Sequence, residues 1–157
     1  MSFSDDNGGF AFSCDDGKIC INASTWSTRL SQIGRFGARI RIVTHGLPDP
    51  DYIGGILAKR PKDIFIICNE DAAEEAKQLK TSFPGIRIAT NSKSNAKLVL
   101  VAPETVWASS ADFGYSKLEN STVGLHSKEV HDRIVAEVFE PMWGRSDEIE
   151  GPVTFWT

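Results

Sequence analysis

The chain has 157 residues, a formal net charge of −4 and 41% hydrophobic residues, values that fit one soluble globular domain with a proper core. Its acidic pI of about 5.4 excludes a uniformly basic nucleic-acid coat but leaves a local basic patch open. No apolar run approaches the roughly 20 residues of a membrane span, and residues 1–9 are too polar for a signal peptide, so we expect a cytoplasmic protein without a membrane association.

The first half of the chain alternates between strand and helix patterns. Residues 10–13 and 18–22 flank an Asp-Gly turn and are predicted to form a hairpin. A helix is predicted over residues 25–35, because apolar residues recur there on one face. A strand rich in isoleucine and valine follows over residues 39–44, and a short helix over residues 51–60.

The second half continues this alternation. Strands are predicted over residues 63–68, 85–90, 97–102, 105–109 and 123–126, and helices over residues 71–82 and 128–143. Strands that alternate with helices, with hairpins added, predict an α/β fold in which a mixed β-sheet is flanked by helices on both faces. We expect a single domain over residues 1–157, with flexible ends at about residues 1–9 and 146–157.

The segment that carries most of the functional information begins at Asn95. One residue separates Asn95 from Lys97, Ala102 comes after four more residues, and Ser-Ser-Ala-Asp occupies residues 109–112. This spacing resembles the signature of the phospholipase D superfamily, which reads H-x-K, four residues, D, six residues and G-S-x-N. Lys97 matches the lysine, whereas Asn95 and Ala102 stand where the signature has histidine and aspartate.

The resemblance extends beyond the motif, over about residues 25–145. Residues 85–90 resemble the strand that leads into the motif, and residues 123–127 resemble the strand that follows it. Residues 138–143 are similar to the common Phe-Glu-x-x-Trp ending of this superfamily. The resemblance therefore implies a phospholipase-D-like domain of the single-motif, nuclease-like type.

The chemistry implied by the resemblance is phosphodiester hydrolysis without a metal or another cofactor. In that chemistry the histidine attacks phosphorus, while the lysine and the polar G-S-x-N residues hold the phosphate oxygens. On this basis the candidate catalytic positions are Asn95, at the place of the nucleophile, with Lys97, Ser110 and Asp112, and Ser109 is a candidate ligand-binding residue. Asparagine is neither a nucleophile nor a base near neutral pH, so we expect a catalytically degenerate site.

Lys97 is expected to lie on the same side of the sheet as Asn95, because the two residues are separated by one position on a strand. A partly buried ammonium needs an anion or a carboxylate. We predict that Lys97 is satisfied either by a bound phosphate or by Asp112, which would act as an internal counter-ion and would fill the anion site from within.

Two further segments contain histidine. His45 follows a predicted strand, and strand ends in α/β sheets face the ligand crevice, so residues 44–46 are candidates for ligand binding, against the alternative of a loop histidine without a role. His126-Ser127-Lys128 superficially repeats H-x-K, but Arg133 stands where aspartate belongs and no G-S-x-N follows. A strand end followed by a helix start is the favoured interpretation of that segment.

The resemblance also implies partners. Single-motif members of the superfamily pair two copies so that the motifs meet on a two-fold axis, and we therefore predict a homodimer through the motif face. A heteromeric assembly, in which another chain supplies the missing histidine, stays open. Nucleic acid is a candidate ligand, since the acidic pI alone does not exclude it.

Two functions follow from these observations. The first is a binding or regulatory module that keeps the fold and has lost the chemistry, or a subunit of a larger assembly. The alternative is a phosphodiesterase or nuclease that Asn95 inactivates, either naturally or as a deliberately introduced substitution. The loss of a second motif residue at Ala102 favours a naturally drifted site.

Overall fold

The structure is a computed structural model that describes residues 2–22, 26, 38–60, 62–115 and 117–151. Its strands are β1 (Gly17–Ile21), β2 (Ile40–Val43), β3 (Ile64–Cys68), β4 (Arg87–Thr90), β5 (Leu98–Val101), β6 (Thr105–Ser109), β7 (Ser121–His126) and β8 (Asp147–Glu148). Its helices are α1 (Pro50–Leu57), α2 (Ala73–Ser82), α3 (Lys128–Ile134) and α4 (Glu140–Gly144), with a 3-10 turn over Glu70–Ala72 and a π-helical turn over Val135–Phe139. The helix predicted over residues 25–35 lies outside the described residues, except for Trp26, which is buried in the core.

The described strands form one mixed sheet in the order β1-β7-β6-β5-β2-β3-β4-β8. The central strands β2, β3 and β4 pair in parallel, as expected for strands joined by crossover helices. The strands β5, β6 and β7 extend the sheet on one side as antiparallel neighbours. This arrangement confirms the predicted α/β class with a mixed sheet.

Alternation along the strands divides the apolar side chains between two layers. On one face, Ile40 and Ile42 of β2 and Val99 of β5 pack with apolar residues of α1 and α2. On the other face, Val43 and Leu100 pack against the helical run that begins at residue 128. The helices therefore cover both faces of the sheet, as predicted. None of the described helices has the length and apolar character needed to cross a bilayer.

The helix predicted over residues 128–143 is present but is not regular throughout. Helix α3 passes into the π-helical turn before α4, whose second residue is Pro141. Proline lacks an N–H, and its ring clashes with the carbonyl four residues earlier in a regular α-helix. A wider turn before Pro141 avoids that clash and keeps the helical run continuous.

The predicted N-terminal hairpin is wrong. Residues 10–13 form no strand, and β1 instead pairs along its whole length with β7, from Gly17 opposite Leu125 to Ile21 opposite Ser121. The segment before β1 packs on the helical layer, where the Arg133 guanidinium lies 4.2 Å from the ring centroid of Phe10. The five residue pairs between β1 and β7 exceed the few pairs that a local hairpin with residues 10–13 would form.

The C-terminal region also departs from the sequence prediction. Residues 147 and 148, expected to belong to a loose end, form β8 and pair with Ala89 and Thr90 at the edge of β4. Arg87 holds this strand through two hydrogen bonds to the carboxylate of Glu148, of 2.6 and 2.8 Å. These hydrogen bonds lower the pKa of Glu148 below its ordinary value.

Candidate functional site

A row of polar residues crosses one face of the sheet at the level of Lys97. Ser109 lies opposite Thr122 in the β6–β7 ladder, and its hydroxyl is 3.0 Å from the Thr122 hydroxyl. The backbone N–H of Ser109 donates to the carbonyl of Lys97 at 2.9 Å. Thr44 continues the row, one step beyond the pairing of Val43 with Leu98. Because the row runs across paired strands, these side chains share a face of the sheet.

Asp112 reaches this row from the loop that follows β6. Its Oδ1 accepts a hydrogen bond from the backbone N–H of His45 and lies 3.0 Å from the hydroxyl of Thr44. A β-carbon at Gly46 would lie 3.0 Å from Oδ2, so glycine at this position leaves room for the carboxylate. The Asp112 carboxylate thus lies between the backbone N–H of His45, the hydroxyl of Thr44 and the α-carbon of Gly46.

Thr44 connects the loop to the sheet. It is fully buried, and its hydroxyl accepts from the backbone N–H of Phe113 at 3.0 Å. The same hydroxyl lies within donor distance of Asp112 and of the Gly46 carbonyl, at 2.9 Å. One hydroxyl proton serves one of these acceptors at a time. Since Phe113 is buried beside Trp26, this contact anchors the loop in the core.

The side chain of Lys97 is 20% exposed and has the internal counter-ion that the sequence predicted. Its Nζ lies 3.9 Å from Oδ1 of Asp112, at the outer limit of an ion pair. The ammonium also donates to the backbone carbonyl and to Oδ1 of Asn95, both at 3.1 Å. Lys97 therefore bridges Asn95 and Asp112, the first and the last residues of the motif.

The two substituted motif positions lie at opposite ends of β5. Asn95 is exposed and precedes the strand, whereas Ala102 follows it, in the turn that leads to β6. At about 3.3 Å per residue, the four residues of the strand alone separate them by about 13 Å. A side chain at position 102 is too far away to orient one at position 95. Ala102 therefore lies apart from the polar row around Lys97.

The two motif serines differ in direction. Ser109 faces the row with Lys97, and its Oγ also accepts from the N–H of Ala111 at 3.1 Å. Ser110 is exposed, and its Oγ accepts from the backbone N–H of Ser121 at 3.0 Å. The hydroxyl of the candidate catalytic residue Ser110 therefore supports the connection between β6 and β7 and does not hydrogen-bond to Lys97 or Asp112.

His45 contacts Asp112 through its backbone and not through its side chain. Its N–H binds Asp112, while its ring is turned so that Nε2 lies 3.5 Å from Oδ2 of Asp71, at the start of the helical layer. Both side chains are more than a third exposed. The structure thus places His45 at the site, as the sequence suggested, but its imidazole does not contact Lys97 or Asp112 through any hydrogen bond of the described residues.

Two supporting residues were missed by the sequence analysis. Ser94 is buried and donates to the carbonyl of Thr44 at 2.7 Å. Asn69 is also buried, and its amide donates to the carbonyls of Ser92 and Ser94. Together they tie the loop before Asn95 to the ends of β2 and β3. Their only sequence signal was a polar residue directly after an apolar strand, which many surface turns share.

The arrangement is suited to holding a negative charge. An ammonium, a backbone N–H and a hydroxyl converge where the Asp112 carboxylate sits. Asn95 supplies only an amide. In the part of the chain that the structure describes, no group of three or more histidine, cysteine, aspartate or glutamate side chains could hold a metal ion.

Solved structures share this architecture. Nuc from Salmonella typhimurium, a phospholipase D family member, matches 85% of this chain and 97% of its own, with a TM-score of 0.69 and 18% sequence identity. NucT from Helicobacter pylori matches 85% of this chain and all of its own, with a TM-score of 0.61 and 16% identity. The archaeal chromatin protein TrmBL2, whose structure shows a mode of DNA binding, matches 86% of this chain and 54% of its own at 12% identity, with a TM-score of 0.61.

The chain therefore has the phospholipase D fold, as its motif spacing predicted. By sequence, no protein-family model and no curated protein matches the chain.

Proposed function

We propose that this chain is a catalytically inactive phospholipase-D-like module that acts by binding, as a regulatory protein or as a subunit of a larger assembly. The proposal rests on one observation above all: the Asp112 carboxylate occupies the position where Lys97, the hydroxyl of Thr44 and the N–H of His45 converge. A phosphodiester would have to displace this carboxylate or be repelled by it. The likeness of the fold to Nuc and NucT supports an origin among phosphodiesterases.

The residue at the nucleophile position supports the same proposal. In the chemistry that the resemblance implies, the covalent phosphoenzyme forms on a histidine, whereas Asn95 offers an amide whose oxygen already accepts from Lys97. Removal of a nucleophile costs several kcal/mol of transition-state stabilisation, on the order of 10⁴-fold or more in rate. Ala102 adds nothing to this argument, since it lies at the far end of β5.

The proposed ligands and partners follow from the fold. We propose pairing of two copies through the face that carries Lys97 and Asp112, with a heteromeric partner as the variant in which another chain contributes a histidine. Nucleic acid is the proposed class of ligand, supported by the DNA-binding mode described for TrmBL2. The dimer is tested by sedimentation velocity at micromolar concentration, where a single monomeric species would contradict it.

The loss of catalysis is tested with bis(p-nitrophenyl) phosphate and a labelled single-stranded DNA. We expect the unmodified chain to hydrolyse neither substrate faster than its Lys97→Met variant does. Hydrolysis that disappears in Lys97→Met would overturn the proposal. Fluorescence anisotropy with the same DNA tests whether nucleic acid is a ligand. An absence of binding by the unmodified chain would contradict that part of the proposal.

Two further variants separate this proposal from a phosphodiesterase silenced only at residue 95. We expect no hydrolysis from Asn95→His, because Asp112 still fills the anion position. Hydrolysis by Asn95→His alone would establish the alternative. Addition of Ala102→Asp to Asn95→His is the matched control, since position 102 is too far from the site to change the chemistry.

A further inference from the structure

A second feature of the same sheet face lies away from Lys97. A cavity of about 170 Å³ opens over the strands β1, β6 and β7, near the end of the sheet at which β7 finishes. It is lined by Asp16, Gly17, Lys18, Thr105, Trp107 and His126, together with Gly124 and Leu125. Thr105 and Ser109 are at opposite ends of β6, so the cavity is about 13 Å from the polar row.

The apolar part of the cavity is built by Trp107 and Gly124. A β-carbon at Gly124 would lie 2.2 Å from Cζ3 of the Trp107 ring, so only glycine lets the indole lie directly on β7. Trp107 is 8% exposed, and its remaining surface forms part of the cavity wall. The size of the cavity matters here, because a cavity of roughly 150 Å³ accommodates a single six-membered aromatic ring.

The ammonium of Lys18 forms the part of the cavity that attracts an anion. Lys18 Nζ lies 6.0 Å from the ring centroid of Trp107, and no carboxylate of the described residues forms an ion pair with it. Nδ1 of His126 is 2.8 Å from Oδ2 of Asp16. That contact fixes the orientation of the ring, and Nε2 has no hydrogen-bond partner among the described residues.

We propose that this cavity is a binding site for a small aromatic acid, that is, a single planar ring bearing a carboxylate or a phosphate. The ring lies against Trp107, where an aromatic contact and burial of apolar surface stabilise it. The anionic group meets the ammonium of Lys18, which forms a charge-assisted hydrogen bond with it.

The inference goes beyond the proposed function and does not depend on it. The motif residues lie about four positions further along the same strands, and none of them lines this cavity. A chain that hydrolyses phosphodiesters and one that does not would both retain the cavity. The site also differs from the motif site in that its lysine forms no ion pair with a carboxylate of the described residues, since Asp16 contacts His126 instead.

The site is tested by two-dimensional NMR of the ¹⁵N-labelled full chain. Benzoate and phenyl phosphate are the probes, and benzamide is the uncharged counterpart. The indole N–H signal of Trp107 is assigned by its absence from a Trp107→Phe variant. We expect a saturable shift of this signal with at least one of the two acids, and the stronger of the two identifies the anionic group that the site prefers.

Substitutions then locate the contact. Lys18→Met keeps the length of the side chain and removes its charge, and we expect it to weaken binding by about tenfold, which is about 1.4 kcal/mol. Lys93→Met removes an exposed lysine that does not line the cavity. The affinity of this variant for the acid should therefore stay within about twofold of that of the unmodified chain. The proposal is overturned by shifts that do not saturate, by equal binding of benzamide, or by equal loss in the two lysine variants.

Discussion

The Nζ of Lys97 lies 3.9 Å from Oδ1 of Asp112, so this lysine faces a carboxylate of its own chain. Asp112 is not free to leave, since it also accepts a hydrogen bond from the N–H of His45. The loop after β6 therefore closes the anion position from within. This relationship makes the first prediction.

Asp112→Asn should increase the binding of phosphate or of an oligonucleotide at the motif site. The amide keeps the shape of the side chain and its oxygen still accepts from His45, while the negative charge beside Lys97 is removed. Isothermal titration with phosphate and anisotropy with a labelled oligonucleotide measure the change. Asp51→Asn, at an exposed position of α1, changes the net charge equally and should have no effect. Unchanged or weaker binding by Asp112→Asn would contradict the prediction.

Thr44→Val should destabilise the fold by about 1–3 kcal/mol, because it leaves the N–H of Phe113 buried without an acceptor. Urea unfolding followed by tryptophan fluorescence measures the loss. Thr81→Val is the matched control, since the Thr81 hydroxyl contacts a carbonyl on an exposed turn of α2. Equal stabilities of the two variants would show that Thr44 does not anchor the loop.

Substitution of Gly124 and of Gly55 by alanine should change the stability of the fold in opposite directions. Gly124→Ala places a β-carbon against the Trp107 ring and should cost about 1–3 kcal/mol, because the ring must move out of a packed position. Gly55→Ala, in α1, meets nothing within 4 Å and should stabilise by up to about 1 kcal/mol through helix propensity. Thermal unfolding of both variants checks the difference, and a neutral Gly124→Ala would mean that the ring yields freely.

The three cysteines should differ in reactivity. Cys68 lies on a buried strand, and burial raises the pKa of its thiol to about 12. Cys14 and Cys20 are half-buried and should react with iodoacetamide in the native protein. Mass spectrometry at mildly alkaline pH should therefore find labels on these two and on Cys68 only after denaturation. Rapid native labelling of Cys68 would require that β3 opens to solvent.

The β4–β8 edge should weaken in acid. Hydrogen bonds from Arg87 hold the pKa of Glu148 below its ordinary value of 4.5, so the folded state gains stability above that value. This contribution is lost as the pH falls through the lowered pKa. Glu148→Gln should accordingly show a shallower loss of stability between about pH 5 and pH 3 than the unmodified chain. Glu119→Gln, at an exposed loop position, serves as the control and should leave the slope unchanged.

The sequence predicted the elements of the central sheet well, because each has a strong local signal. The apolar run at Ile64–Cys68 and the helix over residues 73–82 are examples, in which burial on both faces or a 3.6-residue period dictates the structure. The fold itself was implied by the resemblance of the segment from Asn95 to Asp112 to the phospholipase D signature, and the solved structures share that fold.

The tertiary structure alone decided how the site is assembled. The partner of β1 came from β7, more than a hundred residues away, where five residue pairs outweigh a local hairpin. The far position of Ala102 and the outward direction of Ser110 follow from the register of β5 and β6, which the motif spacing does not reveal.

The sequence by itself thus determined the fold class, the asparagine at the place of the motif histidine and Asp112 as one of two predicted partners of Lys97, because these depend on local pattern and on residue chemistry. Only the tertiary structure decided that Asn69 and Ser94 support the site and that Lys18, Trp107 and His126 surround a second cavity. Those residues lie far apart along the chain, and contacts between distant segments are set by sheet register and packing, which leave no periodic signal in the sequence.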